Sequence, residues 1–138
     1  MAMTEEILVI GNNLNKIENI ANILHWNARG ENYYSDHLLY QRIYEDIADQ
    51  VDGLIETCLI PIQKATDIEF DYSDLFNYTI SFPITPQMLL DLIVDTIRKC
   101  DTLARTDIPE GIKTYLTDVS KSLLVKGGLL DRRLKWCR

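Results

Sequence analysis

From Ser35 to Ala65 the apolar residues of this chain return with the 3.6-residue period of an α-helix. With His37 set at zero and about 100° added per residue, Leu39, Ile43, Ile47, Val51, Leu54 and Cys58 fall between about 200° and 320°. His37, Gln41, Glu45, Asp49, Asp52 and Glu56 fall between 0° and about 120°. The first set is a core stripe and the second a polar face on the other side of one helix. Pro61 has no amide hydrogen and is expected to kink or shorten the last turns.

Three further stretches carry the same period. The first runs from Thr4 to Asn27, with Leu8, Ile17, Ile20, Ile23 and Leu24 among its apolar positions. Thr4 is the expected cap, and Glu5 and Glu6 suit the positive end of the helix dipole. Gly30 punctuates the turn that follows. A third helix is expected from Thr85, as cap, with Pro86 at its first position, continuing through Leu89, Leu90, Leu92, Ile93, Ile97 and Leu103. A fourth starts near Asp107-Ile108-Pro109 and carries Gly127-Gly128, a pair that costs helix stability and favours close packing. The long connection from Asp67 to Ile84, with a short helix at Ser73–Tyr78, suits a bundle whose second and third helices are joined across its length. The expected fold is all-α, a ferritin-like four-helix bundle with a long crossover between helices two and three, in a single domain spanning residues 1–138.

Composition narrows the function classes. The formal net charge is −7, which argues against attraction to phosphate backbones or anionic membranes. There is no apolar run of about 18 residues and no signal-peptide pattern, so a cytoplasmic protein is expected. Cys58, Cys100 and Cys137 are far apart and form no C-x-x-C, which excludes a zinc ribbon or a disulfide framework and predicts reduced thiols.

Both histidines of the chain lie in one short window. His25-Trp26-Asn27 is followed twelve residues later by His37, and then by the i, i+4 acidic pair Asp52 and Glu56. Histidine and carboxylate are the side chains that bind iron or zinc near neutral pH. Helices one and two are expected to be antiparallel around Gly30, which sets both histidines near the loop end of the hairpin. Asp52 is then about 22 Å along the axis from His37, at about 1.5 Å per residue, too far for one ion to reach all four side chains of one subunit. A two-fold partner packed antiparallel along helix two would bring its own Asp52 and Glu56 to these histidines.

The stretch His25-Trp26-Asn27-Ala28-Arg29-Gly30, the second histidine twelve positions on and the Asp-x-x-x-Glu pair together resemble the iron site of the Dps (DNA-protection-during-starvation) ferritins. The resemblance implies an iron(II)-oxidising and iron-storing shell, most readily a dodecamer, with sites shared across a two-fold interface. In that reading His25, His37, Asp52 and Glu56 are both the metal ligands and the ferroxidase residues. Iron is the implied metal, Glu56 the side chain that bridges two irons, and Trp26 the aromatic beside the site. Gln41 departs from the pattern, standing where the family usually has an aspartate. That departure supports a second expectation, a helical assembly protein with a weakened or decayed site. Met1-Ala2-Met3-Thr4-Glu5-Glu6 is acidic where many members carry a basic tail, so DNA binding is expected only with bridging divalent cations. No membrane partner is expected.

Overall fold

The computed structural model describes residues 2–67 and 69–136, and among them every regular element is helical. The chain is an all-α bundle of four helical arms. Helix α1 spans Met3–Asn27. Its first turn holds Glu5 and Glu6 as expected, but Ala2 rather than Thr4 occupies the cap position, and no side chain caps it. Ile7, Ile10, Leu14, Ile17 and Ile20 form its buried stripe. The chain then turns at Gly30, whose φ of +88° is a conformation that side-chain-bearing residues avoid.

The second arm runs from residue 33 to residue 66 but is not one helix. It comprises α2 (Tyr33–Tyr44), α3 (Ile47–Leu54), a π-helical turn (Ile55–Leu59) and α4 (Ile60–Thr66). The predicted core stripe holds from Ile43 to Cys58: Ile43, Ile47, Leu54 and Cys58 are fully buried, while Glu45, Asp49, Asp52 and Glu56 are exposed; Leu39, His37 and Gln41 in the first turns are all half-buried. Two interruptions were not legible from the period. At Glu45–Asp46 the helix breaks, and Asp46, at the cap position of α3, makes no capping bond. Its carboxylate instead pairs with Lys126, a side chain only 5% exposed. A buried ammonium is costly without a counter-charge, and this takes precedence over the local cap. The second interruption precedes Pro61, where the amide of Ile60 donates to the carbonyl of Ile55, five residues back. Proline offers no amide hydrogen and its ring crowds the carbonyl four residues before it; the wider turn relieves that crowding. Asp67, with φ +55°, ends α4.

Helix α5 (Pro86–Ala104) opens as predicted, with the Thr85 hydroxyl accepting from the Met88 amide and Pro86 in the first turn. Helix α6 spans Glu110–Trp136. Gly127 lets α5 and α6 approach closely, since a Cβ there would lie 3.1 Å from Ile93 Cγ2, whereas Gly128 faces open space.

Cross-helix bonds fix the directions. Asn13 Nδ2 donates to Asp95 at 3.2 Å, and residues 6–10 of α1 line a groove with residues 98–103 of α5, so these helices are antiparallel. The second arm is antiparallel to α6, with Asp36 bound to Arg133, Asp46 to Lys126, and the Gln50 carbonyl to the Tyr115 hydroxyl at 2.9 Å. The connection between α4 and α5 lies along α1. Its 3₁₀ turn (Tyr72–Phe76) buries Leu75 against Gly11. Asn12 and Asn15 donate to the carbonyls of Asp74, Asn77 and Leu75 at 2.8–3.0 Å, and Asn19 donates to the Tyr78 hydroxyl. Spaced i, i+3 and i+7, these asparagines form one polar row on α1 that satisfies an otherwise irregular backbone.

Candidate metal centre

His25 ends α1 and His37 lies in the first turns of α2, so the Gly30 turn sets the two imidazoles side by side. Their ring centroids are 3.6 Å apart and the planes differ by 26°. The contact is reciprocal. His25 Nδ1 lies 2.8 Å from the carbonyl oxygen of His37, and His37 Nδ1 lies 3.3 Å from the carbonyl oxygen of His25. A carbonyl can only accept, so each Nδ1 carries the hydrogen. In the neutral ring this leaves each Nε2 with its lone pair, the atom that binds a metal. One of the bonds also satisfies a carbonyl in the last turn of α1, which has no helical partner.

Aromatic side chains surround the pair. Tyr44 sets its ring against His25 with centroids 5.3 Å apart, and Tyr33 lies 5.4 Å from His37. Trp26 is 69% and Tyr34 71% exposed, and Leu38 is also exposed. The two imidazoles themselves are half-buried.

The expected carboxylates stand apart from the histidines. Asp52 lies on α3 and Glu56 on the π-helical turn, both exposed. Among the described residues no three His, Cys, Asp or Glu side chains of one chain are grouped closely enough to hold a metal ion. The structure therefore brings His25 and His37 together and leaves Asp52 and Glu56 farther along the arm. Gln41, one turn beyond His37, is half-buried. Asp36, adjacent to His37 in sequence, is held by Arg133 through two bonds of 2.6 and 3.0 Å. Such a bidentate pair leaves that carboxylate little capacity for a metal.

Charge changes along the chain from the Gly30 turn into the second arm. Arg29 and Arg42 lie on either side of His37, with Glu31 between them and Asp36 neutralised by Arg133. The middle of the arm carries Glu45, Asp49, Asp52 and Glu56, none of which forms an ion pair among the described residues. Tyr115 of α6 lies near this acidic stretch: its phenol pKa is pushed up by burial, then by neighbouring Cys58, and then by Asp52, Asp118 and Asp49.

The reading of the sequence missed the ion pairs from Arg133 and Lys126 to the second arm. Neither has a local signal, since the partners are separated by 97 and 80 residues. The asparagine row on α1 was legible in principle, because amide side chains at helical spacing within an apolar helix call for partners. Cys58 and Cys100 are buried free thiols, and burial pushes both up to about 12; Cys137 lies outside the described residues. A groove of about 270 Å³ between α1 and α5, lined by Val9, Ile10, Arg98 and Leu103, lies away from the histidines. No described helix is long and apolar enough to cross a membrane. Comparison with protein-family models, with curated proteins and with solved structures finds no match to this chain.

Proposed function

We propose that this chain is a ferritin-like subunit of Dps type that oxidises iron(II) and stores the product inside a closed homo-oligomeric shell, with each site shared between two subunits. The observation that carries the reading is the reciprocal bonding of His25 and His37, which fixes both Nδ1 atoms on carbonyls and leaves both Nε2 atoms as donors. Three features support it. Asp52 and Glu56 are exposed and free of ion pairs among the described residues, as carboxylates that serve a neighbouring subunit would be. Trp26, Tyr34 and Leu38 are large apolar side chains left exposed on the two helices that carry the histidines. The connection running back along α1 supports the ferritin-like crossover.

Iron(II) is the substrate in this scheme. His25 and His37 bind it through Nε2, and Asp52 and Glu56 of the partner subunit supply negative charge that favours the ferric product. The two electrons that cleave one peroxide come from a pair of iron(II) ions, and the protons released on hydrolysis of the ferric product pass to solvent.

The test measures oxidation of iron(II) by peroxide through ferric absorbance, beside sedimentation of the same sample. A dodecamer that oxidises iron(II) faster than buffer does, with the gain lost in His37→Ala and in Glu56→Gln, is expected. A stable monomer would refute both shell and site. Equal rates for wild type and both variants in an intact oligomer would favour the second reading, an assembly protein with a decayed site. Gln41, in place of a carboxylate, is the feature behind that alternative.

A further inference from the structure

We propose that the groove between α1 and α5 binds a free apolar α-amino acid, with its carboxylate on Arg98, its ammonium on Glu6 and its side chain on Ile10 and Leu103. The groove lies away from the histidines, and this inference stands or falls independently of the iron reading.

The floor of the groove is apolar and already formed. Ile10 and Leu103 belong to the buried core and also line the groove, and Val9 beside them is half-buried. An apolar side chain laid there leaves water without either helix having to move. The volume is about 270 Å³. Pockets for drug-sized molecules start near about 300 Å³, so the occupant is a smaller molecule.

The rim selects the head group. Four charged side chains line the groove, Glu6 on α1 and Asp95, Arg98 and Lys99 on α5. Two of them are committed to each other. Asp95 accepts from Lys99 at 3.1 Å and from Asn13 at 3.2 Å, which engages both of its oxygens. Glu6 and Arg98 enter no ion pair among the described residues, either with each other or with a third group. They offer one site for a cation and one for an anion, on opposite walls of an apolar slot. A plain carboxylic acid or a plain amine would satisfy one of them and meet a like charge at the other. A zwitterion satisfies both.

Spacing then sets how far apart the charges of the ligand lie. The bond from Asn13 to Asp95 fixes the antiparallel register, which sets Glu6 level with Thr102 and Arg98 level with Ile10. These levels are about 6 Å apart along the bundle, at about 1.5 Å per residue. An ammonium and a carboxylate on one carbon reach both walls through hydrogen bonds of about 2.8 Å. Charges at the two ends of a long chain would overshoot.

The experiment is calorimetry on the full chain near neutral pH, with three probes that share one apolar body. L-leucine carries both charges, isocaproate lacks the ammonium and isoamylamine lacks the carboxylate. L-leucine is expected to bind with a Kd below about 1 mM, and each of the other two about tenfold or more weakly, because each lacks one charge-assisted contact. Arg98→Gln is expected to weaken L-leucine about tenfold and to leave isoamylamine unchanged. Glu6→Gln is expected to weaken L-leucine by a similar factor and to strengthen isocaproate, since the like charge facing its carboxylate is gone. Unchanged far-UV circular dichroism establishes that both variants are folded. Several results would overturn the proposal: no binding of L-leucine up to about 10 mM, isocaproate as tight as L-leucine, or wild-type affinity in both variants. Loss of all three probes in folded Arg98→Gln would overturn the assignment of the carboxylate to Arg98.

Discussion

Helix α5 and the second arm carry similar apolar periodicity, yet α5 runs unbroken for 19 residues while the arm divides into three α-helical pieces and a π-helical turn. The beginning of α5 is written locally, in Thr85 and Pro86, and its close contact with α6 is written in one glycine. The arm's first break depends on Lys126, which lies 80 residues away and is buried against it. Local signals thus start helices, whereas a distant charge can stop one. The break has a consequence for the site as well, because it separates the helix bearing His37 from the one bearing Asp52.

The largest effect expected from this comparison is at the break. Asp46→Ala leaves the Lys126 ammonium buried without a partner and is expected to cost about 2–3 kcal/mol, below the usual range for a fully buried pair because Asp46 is 53% exposed and water reaches it. Lys126→Met removes the buried charge itself and should cost less than about 1 kcal/mol. Urea denaturation of both variants checks the asymmetry; equal losses would mean that the pair does not hold the break.

A smaller loss, about 1 kcal/mol, is expected for Thr85→Ala, because only one capping bond at the start of α5 is removed. The same denaturation series measures it. A loss as large as that of Asp46→Ala would erase the distinction between a locally and a remotely specified region.

The smallest effect is read chemically. Cys58 lies in the π-helical turn and Cys100 in α5, and burial pushes both thiols up to about 12. A folded pKa above the unfolded one favours the neutral thiol in the native state. Its contribution to stability is therefore complete below about pH 8.5, the ordinary thiol range, and is lost as the pH rises toward about 12. Slow alkylation of the native protein, followed by mass spectrometry, should label Cys58 before Cys100, because a π-helical turn opens more readily than an unbroken helix. Labelling in the opposite order would show α5 to be the less stable of the two.

Much of the fold was legible because hydrophobic period, turn residues and proline act over a few positions. The four arms, the core stripe from Ile43 to Cys58, the Thr85 cap and the long connection all follow from such signals. Thr4 was misread as a cap because a good capping residue within reach of a helix start does not fix which residue adopts the cap conformation; here it is Ala2. Of the candidate site, the proximity of His25 and His37 could be read from a short turn between two helices. The bonds to each other's carbonyls could not, since they depend on ring orientation.

The sequence alone determined that this chain is helical, where α5 begins, and that His25 and His37 flank a short turn while Asp52 and Glu56 lie farther along the second arm. Those features depend on neighbours in the chain, through backbone hydrogen bonding and helical spacing. The tertiary structure decided which acids are available. It bound Asp36 to Arg133 and Asp46 to Lys126, and left Asp49, Asp52 and Glu56 on the surface. Ion pairing between distant segments depends on how α6 packs against the second arm, because a buried cation draws in the carboxylate that packing brings within reach.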